Sequence, residues 1–103
     1  VICYPHIGGR DAIDKLVDRV KRAVDEGWQF VRWGMCDPAG PGLLEPRRAV
    51  RFGLQQVEAV REAVGEDIGI TFDVPTRLDP EWAIEFCKGV ESFKPFLLRT
   101  HPV

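Results

Sequence analysis

Apolar positions along this chain change their period several times, and each change marks an element. Val1 to Tyr4 is a short apolar start, broken by Pro5 and by Gly8-Gly9. From Asp11 the apolar residues Ile13, Leu16, Val17, Val20, Ala23 and Val24 recur at the spacing of one helix face. Asp11 is the expected N-cap of this helix and Gly27 its C-terminal stop. Trp28 to Trp33 is apolar and β-prone apart from Gln29 and Arg32. A second helix is expected from about Arg47 to Val64, with Val50, Leu54, Val57, Val60 and Val64 on one face and Gly65 behind it. Ile68 to Val74 is a short apolar run that carries Asp73 near its end. Asp79-Pro80 then starts a third helix, with Ala83, Phe86, Cys87 and Val90 on its face. Pro95 to Leu98 begins a last strand.

The order is β-α-β-α-β-α-β, which predicts parallel strands joined by right-handed helical crossovers. Two architectures share it. One is a small open sheet with helices on both faces. The other is the first half of an eight-stranded (β/α)8 barrel, which typically needs about 250 residues. A half-barrel leaves open sheet edges, so it would need further chain or a partner. At 103 residues the chain is one domain at most, residues 1–103.

In a parallel sheet the carboxyl ends of the strands share one rim, where ligands gather. That rim would collect Tyr4-Pro5-His6, Arg32-Trp33-Gly34, Asp73-Val74-Pro75 and Arg99-Thr100-His101. A cation, a carboxylate and two imidazoles at one mouth would suit an anionic or polyhydroxylated substrate. Asp73 is either a ligand for a hard cation such as Mg2+ or a cap for the following turn. Arg32 either grips a substrate carboxylate or lowers the pKa of a neighbouring base, or it forms an ion pair inside the sheet. His6 is either a substrate contact or general acid, or a loop residue without a role. His101 is read as incidental, and Arg77 as an anchor for the loop before the third helix. Trp28, Trp33 and Trp82 are read as packing residues.

The connection from Gly34 to Pro46 holds three prolines and three glycines, too many for a regular element. Its length is itself a functional signal. The basic cluster Arg47, Arg48 and Arg51 lies just behind it, with Glu45 and Glu58 nearby, and reads as a solvated helix face.

Composition narrows the function classes. A share of 45% hydrophobic and 29% charged residues is ordinary for a globular protein. A net charge of −2 gives no reason to expect nucleic acid or an anionic membrane as partner. Cys3, Cys36 and Cys87 are odd in number and widely spaced, which argues against a disulfide framework or a zinc site and for reduced thiols in the cytoplasm. No apolar stretch reaches the roughly 20 residues of a membrane helix.

The residues resemble a known family. Val57-Glu58-Ala59-Val60-Arg61-Glu62-Ala63-Val64-Gly65, then Ile70-Thr71-Phe72-Asp73, then Arg77-Leu78-Asp79-Pro80-Glu81-Trp82-Ala83 look like the enolase superfamily, in its mandelate racemase and muconate-lactonizing group. Tyr4-Pro5-His6 and Phe30-Val31-Arg32 are similar to the branch of mannonate and related sugar-acid dehydratases. The resemblance implies a (β/α)8 barrel of which this chain forms strands one to four. It also implies a lyase reaction, in which a base removes the proton α to a carboxylate, Mg2+ stabilises the enediolate and water is lost. Matched by position, Asp73 is the first metal ligand and Arg32 the cationic residue beside the catalytic base. His6 is the candidate substrate contact.

The chain departs from the pattern in three places. Pro75 stands where the branch has a histidine, the loop 34–46 has no tyrosine, and the stretch Phe96 to Val103, where the family's fourth strand ends in a Glu-Asp-Pro or Glu-Glu-Pro motif, has no carboxylate. One carboxylate alone implies weak Mg2+ binding at best, and a chain inactive by itself. The implied partners are a sugar-acid substrate and either the rest of the barrel or a second copy. The alternative is a non-catalytic, self-associating α/β scaffold or binding module.

Overall fold

A computed structural model describes residues 12–40 and 43–93, and the backbone of 96–101. Six elements alternate through it: α1 (Ile13–Asp25), β1 (Phe30–Gly34), α2 (Pro46–Val64), β2 (Gly69–Pro75), α3 (Pro80–Val90) and β3 (Phe96–His101). The strands form one parallel sheet in the order β1-β2-β3. The α/β class and parallel strands are as expected and consistent with part of an enolase-type barrel. The expected opening strand Val1–Tyr4 lies outside the described residues, as do Asp11 and His6.

Each helix is bounded by local chemistry. The cap position of α1 is Ala12, whose carbonyl accepts from Lys15 N and Leu16 N without any side-chain cap. The helix ends in a Schellman arrangement: Gly27 N donates to Val24 O, Trp28 N donates to Ala23 O, and Gly27 takes φ +100°. The second helix begins one residue earlier than expected, with Pro46 in its first turn and Glu45 capping Arg48 N at 2.7 Å. Asp79 and Pro80 do start α3, but Asp79 contributes its backbone carbonyl and not its side chain.

The core lies between the sheet and the helices. Leu16 and Val20 of α1, Val57 and Val60 of α2 and Phe86 of α3 are buried with Val31, Trp33 and Phe72 of the sheet. Trp33 meets Phe72 edge-on at 5.6 Å between ring centroids, and Phe72 meets Phe86 at 4.6 Å. Gly53 in the middle of α2 has a packing reason: a Cβ there would lie 3.0 Å from Phe86 Cε1 and 3.2 Å from Phe72 Cζ. Trp33 Nε1 donates to Gln56 Oε1 at 3.2 Å, which satisfies the indole while its ring stays in the core. Trp28 and Trp82 pack against the same core, so all three tryptophans serve packing.

Because side chains alternate across a strand, the residues between these core positions look the other way. On β1 they are Arg32 and Gly34, and on β2 Thr71, Asp73 and Pro75. Thr71 and Asp73 are buried even so. The sequence places Asp73 near the end of its strand, but the ladder extends two residues past it. Val74 and Pro75 still pair with Thr100 and His101. The last strand also continues beyond Leu98, through His101.

Candidate functional site

Two of the three predicted site residues come together. Arg32 is opposite Thr71 in the register and Gly34 is opposite Asp73, so Arg32 and Asp73 are diagonal neighbours on the face away from the core. Arg32 Nε donates to Asp73 Oδ2 at 2.6 Å. Among the alternatives for Arg32, the ion pair within the sheet is the arrangement observed. Gly34 brings no side chain to this place, and Arg99 holds the register position on the other side of Asp73. His6, the third residue, lies outside the described part of the chain.

The pair is largely withdrawn from water: the side chains of Arg32 and Asp73 are 22% and 7% exposed. Burying a charge pair is a weak way to hold two strands together, since well-packed apolar side chains are often as good or better.

The loop after β1 is fixed to the same rim. Met35 N donates to Asp73 O at 2.8 Å, carrying the chain past the end of β1 while still tied to β2. Asp37, fully buried, then organises the turn. Its Oδ1 accepts from Ala39 N at 2.8 Å and its Oδ2 from Glu45 N at 2.8 Å. Arg48 of α2 closes on it with a two-pronged pair, Nε to Oδ1 and Nη2 to Oδ2, both at 2.7 Å. The Arg48 hydrogen bond holds the Asp37 carboxyl well below the usual carboxylate range. Burial opposes this shift, and the Glu45 and Ala39 amides reinforce it. The same partnership raises the Arg48 pKa.

Arg47, Arg48 and Arg51 are all exposed, as expected of a solvated basic face, but Arg48 also turns its guanidinium onto Asp37 of the loop. Sequence reasoning also missed Asp37. The available signal was Asp37-Pro38 ahead of Gly40, a composition typical of Asx turns. Arg77, expected to anchor a loop, is exposed.

A second arginine works at the opposite end of β2. Arg61, buried near the end of α2, donates from Nη1 to Gly65 O at 2.8 Å and from Nη1 to Ile68 O. Its Nη2 donates to Phe93 O at 2.9 Å, in the turn after α3. Burial lowers the Arg61 pKa from its ordinary value. This side chain joins three segments of backbone on the side away from the rim, which makes it a scaffold residue.

The donor set decides how the implied magnesium fits. Mg2+ demands near-octahedral oxygen coordination, usually from one or two carboxylates with waters and substrate. Among the described residues no three His, Cys, Asp or Glu side chains gather in a way that would hold a metal ion. Asp73 already has Oδ2 paired with a guanidinium. These residues do not by themselves fit a Mg2+ site. No described helix is long and apolar enough to cross a membrane.

Comparison with known proteins now places the chain. The family model described as "Enolase C-terminal domain-like" matches residues 15–98. A D-galactonate dehydratase family member from Paenibacillus sp. is 30% identical over 116 residues, covering 95% of this chain and 28% of the relative. The D-gluconate dehydratase of Thermoproteus tenax is 28% identical over 82 residues, covering 79% and 16%. Among solved structures, a mandelate racemase/muconate lactonizing enzyme-like protein from Rubrobacter xylanophilus superposes with a TM-score of 0.74 at 25% identity, covering 95% of this chain and 30% of that one. The chain therefore spans between about a sixth and a third of the length of these proteins. By its matched residues, its fold and its dehydratase relatives, the chain belongs to the enolase superfamily, in the mandelate racemase and muconate-lactonizing group.

Proposed function

We propose that this chain forms strands one to four of a (β/α)8 barrel, and that the complete barrel is an acid-sugar dehydratase. The carrying observation is the contact of Arg32 with Asp73 on adjacent parallel strands, close to the rim where such barrels react. The dehydratase relatives support the substrate class: a polyhydroxylated carboxylate.

In this reading the reaction removes the proton α to the substrate carboxylate and expels the β-hydroxyl as water. The enol left behind tautomerises to a 2-keto-3-deoxy acid. Arg32 provides a fixed positive charge beside the group that takes the proton, and favours the deprotonated form of that group. In the complete barrel Asp73 would be one of the metal ligands, the remaining ligands coming from other strands. His6 is proposed as a substrate contact. The Asp37–Arg48 clamp positions the loop that leaves β1 at the rim.

The test is product formation. The complete barrel containing this segment, incubated with a panel of acid sugars and Mg2+, is expected to yield a 2-keto-3-deoxy acid from at least one, detected as its semicarbazone. No product from any acid sugar, with a folded barrel, would overturn the reading. A second reading, a scaffold that has lost the reaction, is favoured by Pro75, which has no proton to give where the branch has a histidine.

A further inference from the structure

We infer that Arg48 is a positioning residue for Asp73, acting through Asp37 and the backbone amide of Met35. The inference rests on the proposed function in taking Asp73 to work at the rim of the complete barrel.

Asp73 is held twice, and both holds come from one stretch of chain. Its side chain accepts from Arg32 Nε of β1 at 2.6 Å. Its backbone carbonyl accepts from the amide of Met35, the first residue past the end of β1, at 2.8 Å. The register of β1 with β2 ends at Gly34 opposite Asp73, so the Met35 bond lies one residue beyond it. A hydrogen bond at the end of a ladder opens more readily than those inside it unless the chain beyond is fixed.

Asp37 fixes that chain. Met35 and Asp37 are buried and Cys36 between them is only partly so, which continues the inside-outside alternation of the strand. The Asp37 carboxylate takes the amides of Ala39 and Glu45 and both prongs of Arg48. Arg48 itself sits in the first turn of α2, where Glu45 caps its amide. Direct contacts thus lead from the start of α2 through Arg48, Asp37 and Met35 to the carbonyl of Asp73.

Removing the Arg48 guanidinium strikes this run at its most sensitive point. The Asp37 carboxylate is then a buried charge with two amide donors and no counter-charge, an unfavourable state that is relieved by turning outward to water. The backbone of residues 36 and 37 swings with it, and the Met35 amide is drawn off the Asp73 carbonyl. Asp73 keeps its pair with Arg32 but loses the hold on its main chain. A group misplaced in this way slows the chemical step while leaving substrate binding nearly as it was.

Amide exchange in the complete barrel, resolved to single residues by fragmentation mass spectrometry, reads the relay without substrate. In Arg48→Ala the Met35 amide is expected to exchange at least about tenfold faster, beyond any change at Val31 and Trp33 further back on β1. Glu45→Ala is the control. It removes the side-chain cap of the same helix and leaves all four donors at Asp37 in place, so it should not single out Met35. Acceleration spread evenly over Val31, Trp33 and Met35 in Arg48→Ala would overturn the inference, as would an equal effect on Met35 in Glu45→Ala. If Arg48→Ala does not fold, Arg48→Lys keeps the charge and gives up the second prong, and the same comparison should show Met35 about threefold faster or more.

Turnover separates positioning from support of the loop alone. With an acid sugar that the barrel converts, Arg48→Ala should lower kcat by about three- to tenfold and leave KM within about twofold, while Glu45→Ala keeps the wild-type kcat. A raised KM with unchanged kcat would contradict a positioning role. The two proposals fail separately. A barrel that converts no acid sugar overturns the proposed function and leaves amide exchange to decide the relay, whereas an active barrel in which Met35 exchange does not respond to Arg48 overturns the relay alone.

Discussion

Arg48 reaches from the first turn of α2 to Asp37 in the loop after β1 and grips both of its carboxylate oxygens at 2.7 Å. The ten residues of proline- and glycine-rich chain between them are thereby closed onto a helix. Asp37 also accepts from the amides of Ala39 and Glu45, so removing it opens the loop at several points at once. Arg48→Ala should lower the urea midpoint at least as much as Asp37→Ala, because it leaves a fully buried carboxylate without its guanidinium, whereas Asp37→Ala leaves a half-exposed Arg48 that can return to water. A clearly smaller effect of Arg48→Ala would show that the two amide contacts, and not the guanidinium, hold the loop.

The same clamp sets an acid limit on stability. The Asp37 carboxyl, with an ordinary value of 3.8, is shifted downward in the folded chain chiefly by the Arg48 hydrogen bond. A group depressed in this direction stabilises the fold at pH above its unfolded value. That contribution is lost as pH falls below about 3.8 toward the folded value. Urea midpoints measured at pH 7 and at pH 3 should differ more for wild type than for Asp37→Asn. An identical pH dependence in the two proteins would contradict the clamp.

Arg61 makes a separate prediction, at the other end of β2. Its guanidinium serves carbonyls of Gly65, Ile68 and Phe93. Arg61→Ala removes all three charge-assisted bonds from a buried place and should cost about 2–4 kcal/mol, read from urea unfolding. Arg61→Lys should recover less than half of that, since a compact ammonium cannot span three carbonyls as a planar fork does. Full recovery with lysine would mean that only the charge matters.

Two glycines separate packing from backbone preference. Alanine at either Gly53 or Gly89 gains about 1 kcal/mol of helix propensity. At Gly53 the new methyl would press on two aromatic rings, at 3.0 and 3.2 Å, that are themselves fully buried. Overpacking of this kind costs about 1–3 kcal/mol, so Gly53→Ala should be net destabilising by roughly 1 kcal/mol. At Gly89 the obstacle is the branched tip of Leu54, which is partly exposed and can turn aside. Gly89→Ala should be neutral or stabilising by thermal melting, and the reverse order would contradict this account of the core.

The periodic parts of the fold are legible because burial leaves a period. The spacing of Leu16, Val20 and Ala23 announces α1, and that of Val50, Val57 and Val60 announces α2. Asp73 and Arg32 stand out because a charge within an otherwise apolar strand needs a reason, and the parallel order brings their strands together. What period cannot give is a partner. Asp37 and Arg48 are linked by a turn whose path depends on hydrogen bonds among the residues themselves. Arg61 is visible as part of a familiar motif, but its three carbonyl partners come from segments that meet only in the folded chain. The end of β2 was misplaced by the apolar pattern because Pro75, a poor strand former in sequence, pairs with His101 next to it in the sheet.

In the proposed function, the face of the sheet carrying Arg32 and Asp73 is the reacting face of an acid-sugar dehydratase. Its most direct test is dehydration rate in the complete barrel for Asp73→Asn beside Asp37→Asn, each compared with wild type at a temperature where all three are folded. The account predicts that Asp73→Asn lowers turnover by a factor of about a thousand or more, equivalent to about 4 kcal/mol of lost transition-state stabilisation. Asp37→Asn should retain turnover within about tenfold. Wild-type turnover in Asp73→Asn would contradict the claim.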